Sequence, residues 1–160
     1  MKQSVSRRRF VRGVAASAAG GSAAVAQPAS SLRGFDHVAL PMQNTEAMLA
    51  FYRGLGLEVS ENAIACSVYI GGQMMNFHRP ALWQRETFTL RAPAAKPPCG
   101  DLCFVWEGTA AALKAMLDRA GAKVIEGPVA RQGGRKKDAS SVYVRDPDGN
   151  LLEFMIYSSL

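Results

Sequence analysis

The chain has only two histidines, His37 and His78, and both lie in stretches whose apolar residues alternate with period two. In a strand that alternation sorts side chains onto two faces. Phe35, His37 and Ala39 share one face, opposite Asp36, Val38 and Leu40. Met74, Asn76 and His78 share another, opposite Met75 and Phe77. Further along, Asp101, Cys103 and Val105 oppose Leu102, Phe104 and Trp106, and Leu151, Glu153 and Met155 oppose Leu152, Phe154 and Ile156. One set of faces is large and apolar, as expected beneath a helix; the other carries both histidines, Asp101 and Glu153. Two imidazoles with one or two carboxylates suit one divalent ion (zinc, nickel, manganese or iron) with positions left open for a chelating substrate. The plainer alternatives are a strand histidine satisfied in a core or rim, and an Asp at a strand start that caps or faces water.

The segments that must position these groups repeat. Phe35–Met42 reads as a strand, and Asn44 or Thr45 caps a helix from about Glu46 to Gly54, with Met48, Leu49, Phe51 and Tyr52 on its apolar side. Leu57–Ala63, Ile64–Ile70 and Gln73–Arg79 read as strands, the last two joined by a Gly71-Gly72 hairpin turn. After a proline-containing linker, the same order recurs. Asp101–Trp106 is a strand, Thr109–Arg119 a helix with Leu113, Met116 and Leu117 inward, and Gly121 its stop. Lys123–Glu126 is a strand, Gly127–Lys137 a loop, and Ser140–Arg145 a strand. The turn Asp146-Pro147-Asp148-Gly149-Asn150 leads into the strand Leu151–Tyr157.

The expected class is therefore α+β, with tandem βαβββ modules forming a U-shaped mixed sheet and helices on its convex face. Module one is 34–79, the linker 80–99 and module two 100–157. One helix per module covers one sheet face and leaves the other as a cup. His37 and Asp101 both stand near the start of a module's first strand, while His78 and Glu153 stand on the last strands. An approximate two-fold between the copies would gather them around one point.

The N-terminus reads as an address. Lys2, Arg7, Arg8, Arg9 and Arg12 are unopposed by acid, a small-residue run Val14–Val25 follows, and Ala24-Val25-Ala26 offers a signal-peptidase pattern. Ser6-Arg7-Arg8-Arg9-Phe10-Val11-Arg12 resembles a twin-arginine export signal. The alternatives are a basic tail and an uncleaved anchor. Residues 1–26 are expected to be the signal, cleaved near Ala26-Gln27 and delivering the protein to the periplasm or beyond; 27–33 is a short leader. Without the signal, 14 Lys and Arg face 13 Asp and Glu, a formal charge of +1 against +6 for the full chain. That balance argues against a nucleic-acid partner, and no later stretch suits a membrane span. Cys66, Cys99 and Cys103 form no Cys-x-x-Cys pair and their odd number leaves a free thiol.

Five blocks carry a family likeness: Asp36-His37-Val38-Ala39-Leu40, the helix Thr45–Leu57 with Phe51-Tyr52, Asn76-Phe77-His78, Asp101-Leu102-Cys103-Phe104, and Ser141-Val142-Tyr143-Val144-Arg145-Asp146-Pro147-Asp148-Gly149-Asn150-Leu151-Leu152-Glu153. They resemble the vicinal-oxygen-chelate superfamily over about residues 34–157, most closely the glyoxalase domain-containing protein 5 group and its bacterial virulence-protein relatives. The resemblance implies metal ligands at His37, His78 and Glu153. At Asp101 glyoxalase I and the extradiol dioxygenases usually carry His; here Asp101 is either a fourth ligand or an orienting group.

Ser141 and Tyr143 match substrate contacts of fosfomycin-modifying relatives. Tyr143 packing its neighbours, and Arg145 as a solvated strand end, are the plain alternatives. Lys136 and Lys137 either close over an anionic substrate or are solvated loop charge.

The reading is a metal-dependent lyase, isomerase or hydrolase of a small oxygen-rich metabolite. Glu153 is its ligand and base, Asp101 the reserve base, and Ser141, Tyr143, Arg145 and Asn76 the substrate contacts. A non-catalytic, antibiotic-type binding protein and an extradiol-type dioxygenase are the alternatives. A homodimer is implied by resemblance.

Overall fold

The computed structural model describes residues 30–157; the signal region and residues 27–29 of the leader lie outside the described residues. From Gly34 onward the described residues form one unit, built in the order β1 (His37–Pro41), α1 (Thr45–Gly54), β2 (Glu58–Glu61), β3 (Ala65–Ile70), β4 (Gln73–His78), α2 (Pro80–Trp83), β5 (Asp101–Val105), α3 (Ala110–Arg119), β6 (Val124–Gln132), β7 (Asp138–Arg145) and β8 (Leu151–Tyr157). The class is α+β, and the βαβββ plan occurs twice. The strands make two mixed four-stranded sheets, ordered β1-β4-β3-β2 and β5-β8-β7-β6. In each, the first pair is parallel and the other two antiparallel.

Helix α1 buries Met48, Leu49, Phe51 and Tyr52, a spacing that keeps one stripe facing the sheet. Helix α3 starts where Thr109 accepts a hydrogen bond from the Ala112 N–H at 3.1 Å, and buries Leu113, Met116 and Leu117. These stripes and the inward strand residues Leu40, Val68, Met75, Phe77, Val144, Leu152 and Phe154 form one core drawn from both modules. Burying one such side chain is worth about 1.5–3 kcal/mol. The faces bearing His37 and Glu153 lie on the opposite sides of their sheets from this core.

Polar ties lock the modules together. The buried Tyr52 hydroxyl donates to Asp146 at 3.0 Å. The Asn150 backbone N–H and side-chain amide donate to the same carboxylate at 2.9 and 2.8 Å. Asp148 accepts from the backbone N–H groups of Gln43 and Asn44 at 2.6 and 2.8 Å. The linker is not featureless either: Pro80–Trp83 forms a helical turn, and the Trp83 indole N–H donates to the Met42 carbonyl at 2.8 Å.

One segment differs from the sequence expectation. Gly127 and Pro128 suggest a loop, yet β6 runs on to Gln132, with register shifts against β7 between Val124 and Glu126 and between Glu126 and Val129. Such bulges let a strand carry Gly and Pro without ending its ladder. The hairpin connection is confined to residues 133–137.

Candidate functional site

In module one, His37 sits opposite Met74 and His78 opposite Pro41, because β1 and β4 run parallel. The two imidazoles share a face but stand four residues apart along it, about 13 Å between backbones at ~3.3 Å per residue. His37 Nδ1 lies 2.6 Å from the Asp36 carboxylate. An Nδ1–H donated there leaves the Nε2 lone pair free, the arrangement that orients metal-binding imidazoles. His78 is partly covered: the Phe88 ring meets it edge-on at 5.2 Å between centroids, and Asn76 Nδ2 lies 3.5 Å from its Nε2. Burial holds the His78 imidazole below its usual pKa, and the charge of His37 adds to that.

In module two, Asp101 pairs with Leu151 and Cys103 with Glu153. The Cys103 thiol is pushed up to about 11, by burial first, then by the adjacent Glu153 carboxylate, then by Asp101. Oε1 of Glu153 is shielded from solvent and has no hydrogen-bond partner. Tyr143 is directly across from Glu153 on β7, and Ser141 and Arg145 share its face. Ser141 is fully buried with its hydroxyl unpartnered. Arg145 is exposed, and its guanidinium donates to the Gly149 carbonyl at 2.8 Å. Lys136 and Lys137 are exposed in the β6–β7 hairpin.

Six of the eight expected site residues fall into three cavities, and Ser141 and Asn76 line none of the three. His37 and Asp101 line one of about 340 Å³ between β1 and β5, with Cys103 beside them. Asp101, Tyr143, Arg145 and Glu153 line another of about 460 Å³, together with Glu126 and Arg131. His78 lines a third of about 80 Å³ beneath linker residues Trp83, Arg91, Ala92 and Ala95. Among the described residues no three of the His, Cys, Asp and Glu side chains gather closely enough to hold one ion. Glu153 fits a cation on chemical grounds, since its buried carboxylate oxygen without a donor demands positive charge, and the exposed Asp101 carboxylate lines the same cavity. The full four-residue set does not converge within one chain.

Cys103, Glu126 and Arg131 also line these cavities, and nothing in the sequence marks them as site residues. Alternation places Cys103 on the cup face, but a thiol outside any metal motif carries no signal of a site. Arg131 lay in a stretch assigned to loop, so no face was attributed to it.

Residues 34–154 match the family model of the Glyoxalase/Bleomycin resistance protein/Dioxygenase superfamily. The chain belongs to that superfamily. Within it, the chain is 33% identical over 128 residues to the Glyoxalase domain-containing protein RDO1 of Mycosarcoma maydis, covering 79% of this chain and 70% of that protein. It is 32% identical over 124 residues to Virulence protein STM3117 of Salmonella typhimurium, covering 76% and 83%. Its fold is similar to the integron cassette protein VCH_CASS1 from the mobile metagenome of V. cholerae, with a TM-score of 0.71, 29% identity and coverage of 81% and 99%. Membership of the superfamily makes the chain a metal-dependent enzyme or a binding protein of the same build, and the βαβββ repeat described above is its framework.

Proposed function

We propose that the chain is a divalent-metal-dependent enzyme acting as a lyase, isomerase or hydrolase on a small oxygen-rich metabolite. The observation that carries this reading is the Glu153 carboxylate, whose Oε1 is buried without a partner beside Asp101 in a substrate-sized cavity. In this reading Glu153 and Asp101 are ligands from module two and His37, whose Nε2 is free, is the ligand from module one, while His78 stands four residues away along the same sheet. A zinc, nickel, manganese or iron ion bound there would supply a Lewis acid for negative charge on two vicinal substrate oxygens. Glu153 moves the proton, standing at the cavity wall opposite Tyr143. Tyr143 and Arg145, in the wall of the same cavity, orient the substrate, and Ser141, on their face of β7, and Asn76 are the further contacts of this reading.

Because no three ligand candidates gather in one chain, the reading takes a homodimer in which His37 of one protomer faces Asp101 and Glu153 of its partner. A second reading is a cup that sequesters a small molecule without turnover, favoured by the same lack of convergence. Metal content and sedimentation separate the two. The enzyme reading expects stoichiometric metal in a dimer, lost in His37→Ala and Glu153→Ala alike. Metal-free protein whose variants still bind small molecules normally would sink it.

The reading extends to location: residues 1–26 are an export signal and the protein works in the periplasm. Fractionation of cells carrying Arg7→Lys with Arg8→Lys tests this, with retention in the cytoplasm expected.

A further inference from the structure

Resting on the metal reading above, we infer that Arg131 determines specificity, selecting substrates that carry an oxyanionic group, phosphate or carboxylate, apart from the chelating oxygens. Arg131 lies on β6 opposite Ala139, on the same face as Ser141 and Tyr143. Its Nε donates to the Tyr143 hydroxyl at 3.1 Å, its carbon Cζ sits 5.6 Å from that ring's centroid, and Nη1 donates to the Ala130 carbonyl at 3.0 Å. The guanidinium is thus held over the cavity with its Nη2 edge uncommitted. It forms no ion pair among the described residues, although the carboxylates of Glu126 and Glu153 line the same cavity. A braced guanidinium with an uncommitted Nη2 that ignores nearby carboxylates is suited to a charge-assisted hydrogen bond to an oxyanion brought in from outside.

The charge balance agrees. Two guanidinium groups, Arg131 and Arg145, face three carboxylates, Asp101, Glu126 and Glu153, in this cavity. A bound divalent ion turns that formal charge from −1 to +1, so the loaded site attracts an anion that the empty one repels. Tyr143 is accordingly a positioning residue for Arg131 as well as a wall of the cavity.

The test uses two probes that share a 2-hydroxycarboxylate chelating end and differ in a remote dianion, glycerate and 3-phosphoglycerate. Calorimetric titration of the full mature protein, with and without manganese, gives the affinity ratio between them. With manganese the wild type is expected to prefer 3-phosphoglycerate at least tenfold, the ratio collapsing towards one in Arg131→Gln and staying intermediate in Arg131→Lys. Tyr143→Phe should lower it part-way. A ratio near one in the wild type, or one that survives in Arg131→Gln, overturns the inference. Binding that is indifferent to manganese but keeps an Arg131-dependent ratio would sink the metal reading and leave the anion subsite standing. Manganese-dependent binding with a ratio indifferent to Arg131 does the reverse. Should Arg131→Gln fold poorly, the intermediate value in Arg131→Lys still decides, because the charge is kept and the guanidinium braced by Tyr143 is lost.

Discussion

Asn76 and Glu153 occupy the same place in the two halves of the chain. Asn76 on β4 pairs with Ala39, two residues into β1 from His37, and Glu153 on β8 pairs with Cys103, two residues into β5 from Asp101. His78 stands one pleat further along and corresponds to the buried Met155. The repeat thus equates His37 with Asp101 and Asn76 with Glu153, and leaves His78 without a polar counterpart.

The unpartnered Glu153 oxygen implies a trade between stability and metal binding. Glu153→Gln is expected to stabilise the metal-free protein by about 1 kcal/mol, because a neutral amide suffers less from burial. The same change should weaken metal affinity a hundredfold or more. Urea unfolding in the presence of a chelator, set beside metal titration, checks both signs; a variant less stable than wild type without metal would contradict the first.

Cys103 should be a slow thiol. Held up to about 11 from the ordinary 9.0, it exposes roughly a hundredfold less thiolate at pH 8 than an unperturbed cysteine, and alkylation slows in proportion. Site-resolved mass spectrometry after timed iodoacetamide treatment measures this. Glu153→Gln removes one of the causes and is expected to speed the reaction at Cys103.

His78 contributes an acid limit to stability. Its folded pKa lies below the ordinary 6.5, so below about pH 6.5 the unfolded chain takes up a proton that the folded one refuses. Stability should therefore fall as pH drops through 6.5 and level off below the folded value. Thermal melts of chelator-treated protein from pH 8 to 5 should show a shallower fall in His78→Gln than in wild type; parallel curves would remove His78 from the account.

The Tyr52–Asp146 bond joins the modules inside the core. Tyr52→Phe is expected to cost about 1 kcal/mol by losing one hydrogen bond, and Asp146→Ala about 3 kcal/mol or more, since it strands the Tyr52 hydroxyl and the Asn150 donors together. Denaturant unfolding of the two variants gives the order directly.

Much of this was readable from residue order, for definite reasons. Alternation sorted His37, Asn76, Cys103 and Glu153 onto the face away from the core, and the stripes of Met48, Leu49 and Tyr52 and of Leu113, Met116 and Leu117 located α1 and α3. What alternation cannot supply is height along a face. The offset of His78 from His37 is set by how β1 registers against β4, a pairing between segments some forty residues apart. Arg131 was hidden for a local reason, since Gly127, Pro128, Gly133 and Gly134 spell a loop and only the bulged pairing with β7 keeps the strand going. Whether the ligand candidates meet was beyond the sequence altogether, as it depends on how whole sheets are apposed; among the described residues no three of them do.

The turn after β7 has a further meaning. Helix α1 has no side-chain cap from its own N-cap residue, Asn44; instead Asp148, from the other repeat, receives the Gln43 and Asn44 N–H groups and the Asn44 amide. One half thus anchors the chain that leads into the first helix of the other. The two halves have become obligate companions, so that a chain cut in the linker would yield fragments that fold by finding each other rather than two small independent proteins.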